Sequence, residues 1–87
     1  MTLEIVETSI RRFILDRFPI ARQRDISNRE LLLENGILDS LGILEVVSFV
    51  ESEFKVAVDD EELQPENFES IHAMTVFVQE KRGRLSA

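Results

Sequence analysis

Apolar residues recur every three to four positions at Leu3, Val6, Ile10, Phe13 and Ile14, and this spacing predicts an amphipathic helix over about residues 3–17 with that face in the core. Thr2 is placed to cap it, and Glu4 falls in its first turn, at the positive end of the helix dipole. Pro19 cannot continue a helical hydrogen bond and disfavours helical geometry at Phe18, so the helix should stop near Arg17. From 18 to 39 the periodicity loosens into a long connection with scattered apolar anchors: Ile20, Ile26, Leu31, Leu32, Leu33, Ile37 and Leu38. Within it, Ser27-Asn-Arg-Glu30 has capping-box spacing, which predicts a short helical turn. Asn35-Gly36 supplies a positive-φ residue for reversing the chain toward Asp39.

The pattern sharpens over about 40–54. On a 100° wheel, Ile43, Val46, Val47, Val50 and Phe54 fall on one core-facing arc. Leu41, Glu45, Ser48 and Ser52 take the opposite arc, with Leu44 and Glu51 on one shoulder and Phe49 on the other. Lys55-Val-Ala-Val58 reads as an extended link. Asp59-Asp-Glu-Glu-Leu63 reads as the capped start of a short helix that Pro65 interrupts and Phe68 anchors inward. A last helix is expected over about 71–82, capped by Ser70, with Ile71, Met74, Phe77 and Val78 inward and Lys81 and Arg82 at its negative end. Gly83 is the expected stop. These elements predict an all-α fold, a small four-helix bundle of three longer helices and one short one, with the long connection between the first two.

At 87 residues the chain, read as a single domain over 1–87, buries only roughly 60 to 65% of its unfolded surface. It has no cysteine, so any thiol chemistry must come on a cofactor. The first twenty residues carry three acids and three arginines and no apolar run of signal-peptide type. No stretch is apolar for the roughly 18 residues a membrane span requires, so a cytoplasmic protein without a membrane span is expected. Charge is uneven. Residues 30–80 hold thirteen Asp and Glu against one Lys, a local balance of −12, whereas residues 11–29 hold six Arg against two Asp, a balance of +4. The acidic part argues against nucleic acid and favours basic protein surfaces. The arginines serve equally well as a solvated face that keeps the chain soluble.

Candidate chemistry gathers at Gly36-Ile-Leu-Asp-Ser-Leu-Gly-Ile-Leu-Glu45. Here Asp39 is suited to cap the second long helix, leaving Ser40 exposed in its first turn. The Asp39-Ser40-Leu41 stretch resembles the attachment site of the acyl carrier protein family. The resemblance continues through Leu44 to Phe54, Val58 to Leu63 and Phe68 to Ile71, and so covers nearly the whole chain. It implies a noncatalytic carrier, with 4′-phosphopantetheine from coenzyme A joined covalently to Ser40 and an acyl or aminoacyl group held as a thioester on the arm. Implied partners are a phosphopantetheinyl transferase, an acyl- or aminoacyl-loading ligase and a downstream synthase or transferase, with the carrier a monomer. Leu41, Leu44, Glu45 and Ser48, grouped beside Ser40, form the expected partner face.

Gly42 stands where the fatty-acid members usually carry an acid, and the partner-facing arc has few acids. The resemblance is therefore closer to stand-alone carriers of specialised or aminoacyl-loading pathways. Other readings use the same residues. A helical adaptor would dock a partner through Leu41 and Leu44 without any modification. A serine hydrolase would pair Ser40 with His72, the lone histidine, but Gly-x-Ser-x-Gly is absent. The acidic run at 59–62 lacks the alternating ligands and central glycine of an EF-hand, so no metal is expected.

Overall fold

A computed structural model describes the backbone of residues 2–86 and the side chains of residues 2–83. Five α-helices follow one another: α1 Leu3–Arg17, α2 Pro19–Arg24, α3 Ser40–Phe54, α4 Pro65–Phe68 and α5 Ile71–Ser86, with a 3-10 turn at Asp60–Glu62 between α3 and α4. No strand occurs among the described residues. The three long helices are α1, α3 and α5, as their periodicity predicts. The short helix expected from Asp59 is the 3-10 turn, and two short α-helices stand elsewhere: α2 in the expected connection, and α4 opening at Pro65, which was expected to interrupt.

α1 begins where Thr2 accepts from the Ile5 N–H at 3.2 Å and ends as Phe18 turns extended, its N–H closing on the Ile14 carbonyl at 3.0 Å. Val6, Ile10 and Ile14 are fully buried along the seam with α5, whereas Leu3, expected inside, is half exposed. Pro19 does end α1, but it also opens α2. At the first helical position its missing N–H would have had no partner in any case, and its fixed φ suits a helix start. α2 buries Ala21, leaves Ile20 exposed, and stops at Asp25 in the left-handed conformation, φ 51°.

The expected helical turn is there, the Asn35 N–H donating to the Leu31 carbonyl at 3.0 Å, but the Glu30 carboxylate does not close the capping box. The Glu30 carboxylate accepts from Asn35 Nδ2 at 3.1 Å and Arg24 Nη2 at 3.5 Å, so it is drawn across the connection. Ile26, Leu32, Ile37 and Leu38 bury as anchors; Leu31 does not. Gly36 takes the positive φ, 74°, where the chain reverses.

Four phenyl rings run along the α1–α3 seam. Phe13 stacks on Phe49 at 4.3 Å, with Phe18 edge-on to Phe13 at 6.3 Å and Phe54 edge-on to Phe49 at 6.0 Å. Such pairs add roughly 0.5 to 1.5 kcal/mol each beyond the area they bury. Behind α3, Asp59 and Glu62 cap the 3-10 turn reciprocally, and Glu62 also accepts from Lys81 at 2.7 Å, joining the acidic run to α5. Ser70 Oγ caps α5 by accepting from the Ala73 N–H at 3.0 Å. The helix continues through Gly83 to Ser86 rather than stopping there, since a glycine inside a helix lowers its stability without forbidding it.

Candidate functional site at the start of α3

Leu32 fixes the approach to α3 from inside the fold. Its carbonyl accepts from the N–H groups of Ile37 and Leu38 at 2.9 and 3.1 Å, and its own N–H donates to the Glu69 carbonyl at 2.7 Å. With Ile37 and Leu38 held in the core, the next residue must come to the surface. Asp39 does so in extended geometry, and its Oδ1 accepts from the Gly42 N–H at 2.8 Å. A carboxylate cap of this kind satisfies one of the four unpaired N–H groups of the first turn and is favoured by the dipole. Ser40 is the first helical residue and is exposed.

Side chains beside Ser40 divide as the wheel predicts. Val46, Val50 and Phe54 are buried and Ile43 and Val47 partly so, while Leu41 is 72% exposed and Leu44 54%. Ser48 is exposed and Glu45 half-buried on the same side. Leu44 is the ridge between two depressions. On one side an apolar cleft of about 250 Å³ runs from Ser40 between Leu33, Ile43 and Leu44 and the segment bearing Leu63, Pro65 and Phe68. On the other, an open groove of about 690 Å³ lies between α2 and α3 and brings Leu41, Glu45 and Ser48 together with Ile20 and Arg17. A further hollow, about 800 Å³, lies farther along the α1–α3 seam over Phe13 and Phe49 and does not reach Ser40.

Two residues of this surface escaped the sequence reading. Arg17, at the end of α1, pairs with Glu45; only its position one residue before the Phe18-Pro19 break hinted at it. Gly42 is buried, and a Cβ there would meet Leu38 Cδ2 and Phe18 Cε1 at 3.2 Å each. His72 lies in the first turn of α5, its backbone N–H donating to the Asn28 carbonyl at 2.8 Å, and it lines neither depression beside Ser40. Among the described residues no group of three or more His, Cys, Asp or Glu is placed to hold a metal ion. No described helix is long and apolar enough to cross a membrane.

No protein-family model matches the chain. Two curated proteins do. A probable acyl carrier protein, PigG, from Serratia sp. is 28% identical over 75 residues, 86% of each chain. The acyl carrier protein of Buchnera aphidicola subsp. Baizongia pistaciae is 32% identical over 72 residues, 83% of this chain and 88% of its own. The chain belongs to the acyl carrier protein family. Acyl carrier proteins carry a covalent 4′-phosphopantetheine, and the surface of this carrier suits such a group. An exposed hydroxyl stands at the positive end of a fifteen-residue helix, where a phosphodiester, if attached, would gain from the dipole and the first-turn N–H groups. An apolar cleft opens directly alongside.

Proposed function

We propose that Ser40 is the residue that takes the 4′-phosphopantetheine, and that residues 1–87 act as one carrier domain. In this reading a phosphopantetheinyl transferase takes the Ser40 Oγ proton onto its own base or solvent as Oγ forms a bond to the pantetheine-side phosphorus of coenzyme A, the pyrophosphate P–O bond breaks, and adenosine 3′,5′-bisphosphate leaves. The attached group supplies a terminal thiol on which cargo is held as a thioester. The carrier's own residues position and present. Asp39 caps α3 and keeps Ser40 at its mouth, the buried Ile37 and Leu38 hold that mouth still, and Leu41, Leu44, Glu45 and Ser48 offer the surface a partner enzyme grips. The observation that carries the reading is the exposed Ser40 at a capped helix start, in a chain of this family, with an apolar cleft alongside.

The same cleft supports an acyl cargo over an aminoacyl one. Apart from Ser40 and Gln64 its lining is apolar, and it contains no carboxylate to pair with an α-ammonium group, which would lose its hydration there without compensation. We extend the proposal accordingly to an apolar acyl group of a specialised pathway, loaded by an acyl ligase and passed to a synthase or transferase, with the monomeric carrier working in the cytoplasm and catalysing nothing itself.

Intact-mass measurement after incubation with coenzyme A and a broad-specificity transferase tests the reading. One phosphopantetheinyl addition is expected on the wild-type chain and none on Ser40→Ala, which should melt as the wild type does, because a first-turn exposed hydroxyl leaves no cavity when removed. An equally modified Ser40→Ala variant would move the site elsewhere, and an unmodified wild type would favour the adaptor.

A further inference from the structure

α3 bears three carboxylates, and all three are engaged within the protein. Glu51 Oε2 accepts from the Val58 N–H at 2.8 Å, Glu53 Oε2 accepts from Ser9 Oγ at 3.4 Å, and Glu45 pairs with Arg17. Of the three, only Glu45 lies in the groove with Leu41, Leu44 and Ser48 beside Ser40. Its cation comes from another helix. Arg17 is the last residue of α1, whose seam with α5 fixes its backbone while the guanidinium reaches the second turn of α3. The two side chains are 57% and 39% exposed, and an exposed pair of this kind adds little to folding. It nevertheless occupies the one acid that α3 itself bears on this face; the groove's other carboxylate, Asp39, caps the helix by accepting from the Gly42 N–H.

We infer that Arg17 reserves Glu45. A partner enzyme that grips this face with its own arginine or lysine must first displace Arg17, and the Arg17–Glu45 pair must be broken for it to do so. The face therefore disfavours partners that read Glu45 through a cation and favours those that close an apolar surface over Leu41 and Leu44, where no ion pair has to be broken. Arg17 is a specificity-determining residue acting through Glu45. This rests on the Ser40 proposal, since it concerns the partners that approach that serine.

The probe is a broad-specificity phosphopantetheinyl transferase with coenzyme A, followed by intact mass on the full chain as wild type, Arg17→Ala, Arg17→Lys, Glu45→Gln and the Arg17→Ala/Glu45→Gln double variant. Breaking an exposed ion pair such as Arg17–Glu45 corresponds to about a threefold change in an equilibrium constant. Arg17→Ala is thus expected to lower KM about threefold at low salt with kcat unchanged, and the gain should shrink at physiological ionic strength. Arg17→Lys should keep the wild-type KM, and the gain should vanish in the double variant measured against Glu45→Gln. Modification of Arg17→Ala no faster than wild type, or a gain that survives the loss of Glu45, would overturn the inference. A wild-type chain that takes up no mass would instead refute the assignment of Ser40.

Discussion

Gly42 is the position where helix propensity and packing pull in opposite directions, and their difference can be measured. Replacing a helix-interior glycine by alanine gains roughly 0.8 to 1 kcal/mol of backbone preference. Against this, the new methyl would stand 3.2 Å from both Leu38 Cδ2 and Phe18 Cε1. Leu38 is only 3% exposed, and the Phe18 ring sits edge-on to Phe13, so neither neighbour is a loose surface side chain. Inserting a methyl into such a site costs on the order of 1 to 3 kcal/mol. The balance predicts that Gly42→Ala loses about 1 kcal/mol, or about 4 to 8 °C in Tm for a chain of this size. Thermal and urea melts followed by circular dichroism give both numbers. The cause is isolated by repeating the substitution in a Phe18→Leu background, where the ring edge is gone. There the same alanine should be neutral or stabilising, a coupling of about 1 kcal/mol between the two sites. If Gly42→Ala stabilised the wild-type chain, or cost the same in both backgrounds, the contact with Phe18 would not be what keeps this position a glycine.

Leu41→Ala and Glu45→Lys should shift stability by only about 0.5 kcal/mol, as surface changes do, yet alter the rate of modification at Ser40. Val50→Ala should cost on the order of 1 to 3 kcal/mol by opening a core cavity and affect modification only through the unfolded fraction; melting beside single-turnover labelling separates the two classes. Lys55 ends α3 at φ 57°, a left-handed conformation that strains an L side chain. Lys55→Gly is therefore expected to gain about 0.5 kcal/mol, read as a rise in the urea midpoint with an unchanged slope.

The long helices were legible because each signal was local: α1 and α3 have the bounds that Thr2, Pro19, Asp39 and apolar spacing predict. The division of α3 into a buried and an exposed face followed from the same periodicity. What escaped depends on partners distant in sequence. Glu30 has capping-box spacing with Ser27, but Arg24 and Asn35 compete for its carboxylate and win. Pro19 was legible as an end and not as a beginning, because the same ring that closes one helix is suited to open the next. Gly42 looked like a missing acid; only the fold brings the Phe18 ring against it. Nor could spacing show that Arg17 and Glu45, 28 positions apart, would meet.

The connection from α2 to α3 is irregular in outline, but its bonds run to the other end of the chain. Leu32 donates to Glu69, Asn28 accepts from the His72 N–H, and Arg11 Nη1 holds the Asn28 side chain at 2.9 Å. Breaking this knot would expose Leu32, Ile37 and Leu38 and loosen the start of α5 together with the approach to Ser40. Amide hydrogen exchange should therefore divide the segment in two. The N–H groups of Leu32, Ile37, Leu38 and His72 should open only with global unfolding, while those of the exposed residues around Arg29 exchange freely. The serine is then carried on a mount that yields last, and an arm attached there, as proposed, would swing from a fixed point instead of trailing from a moving one.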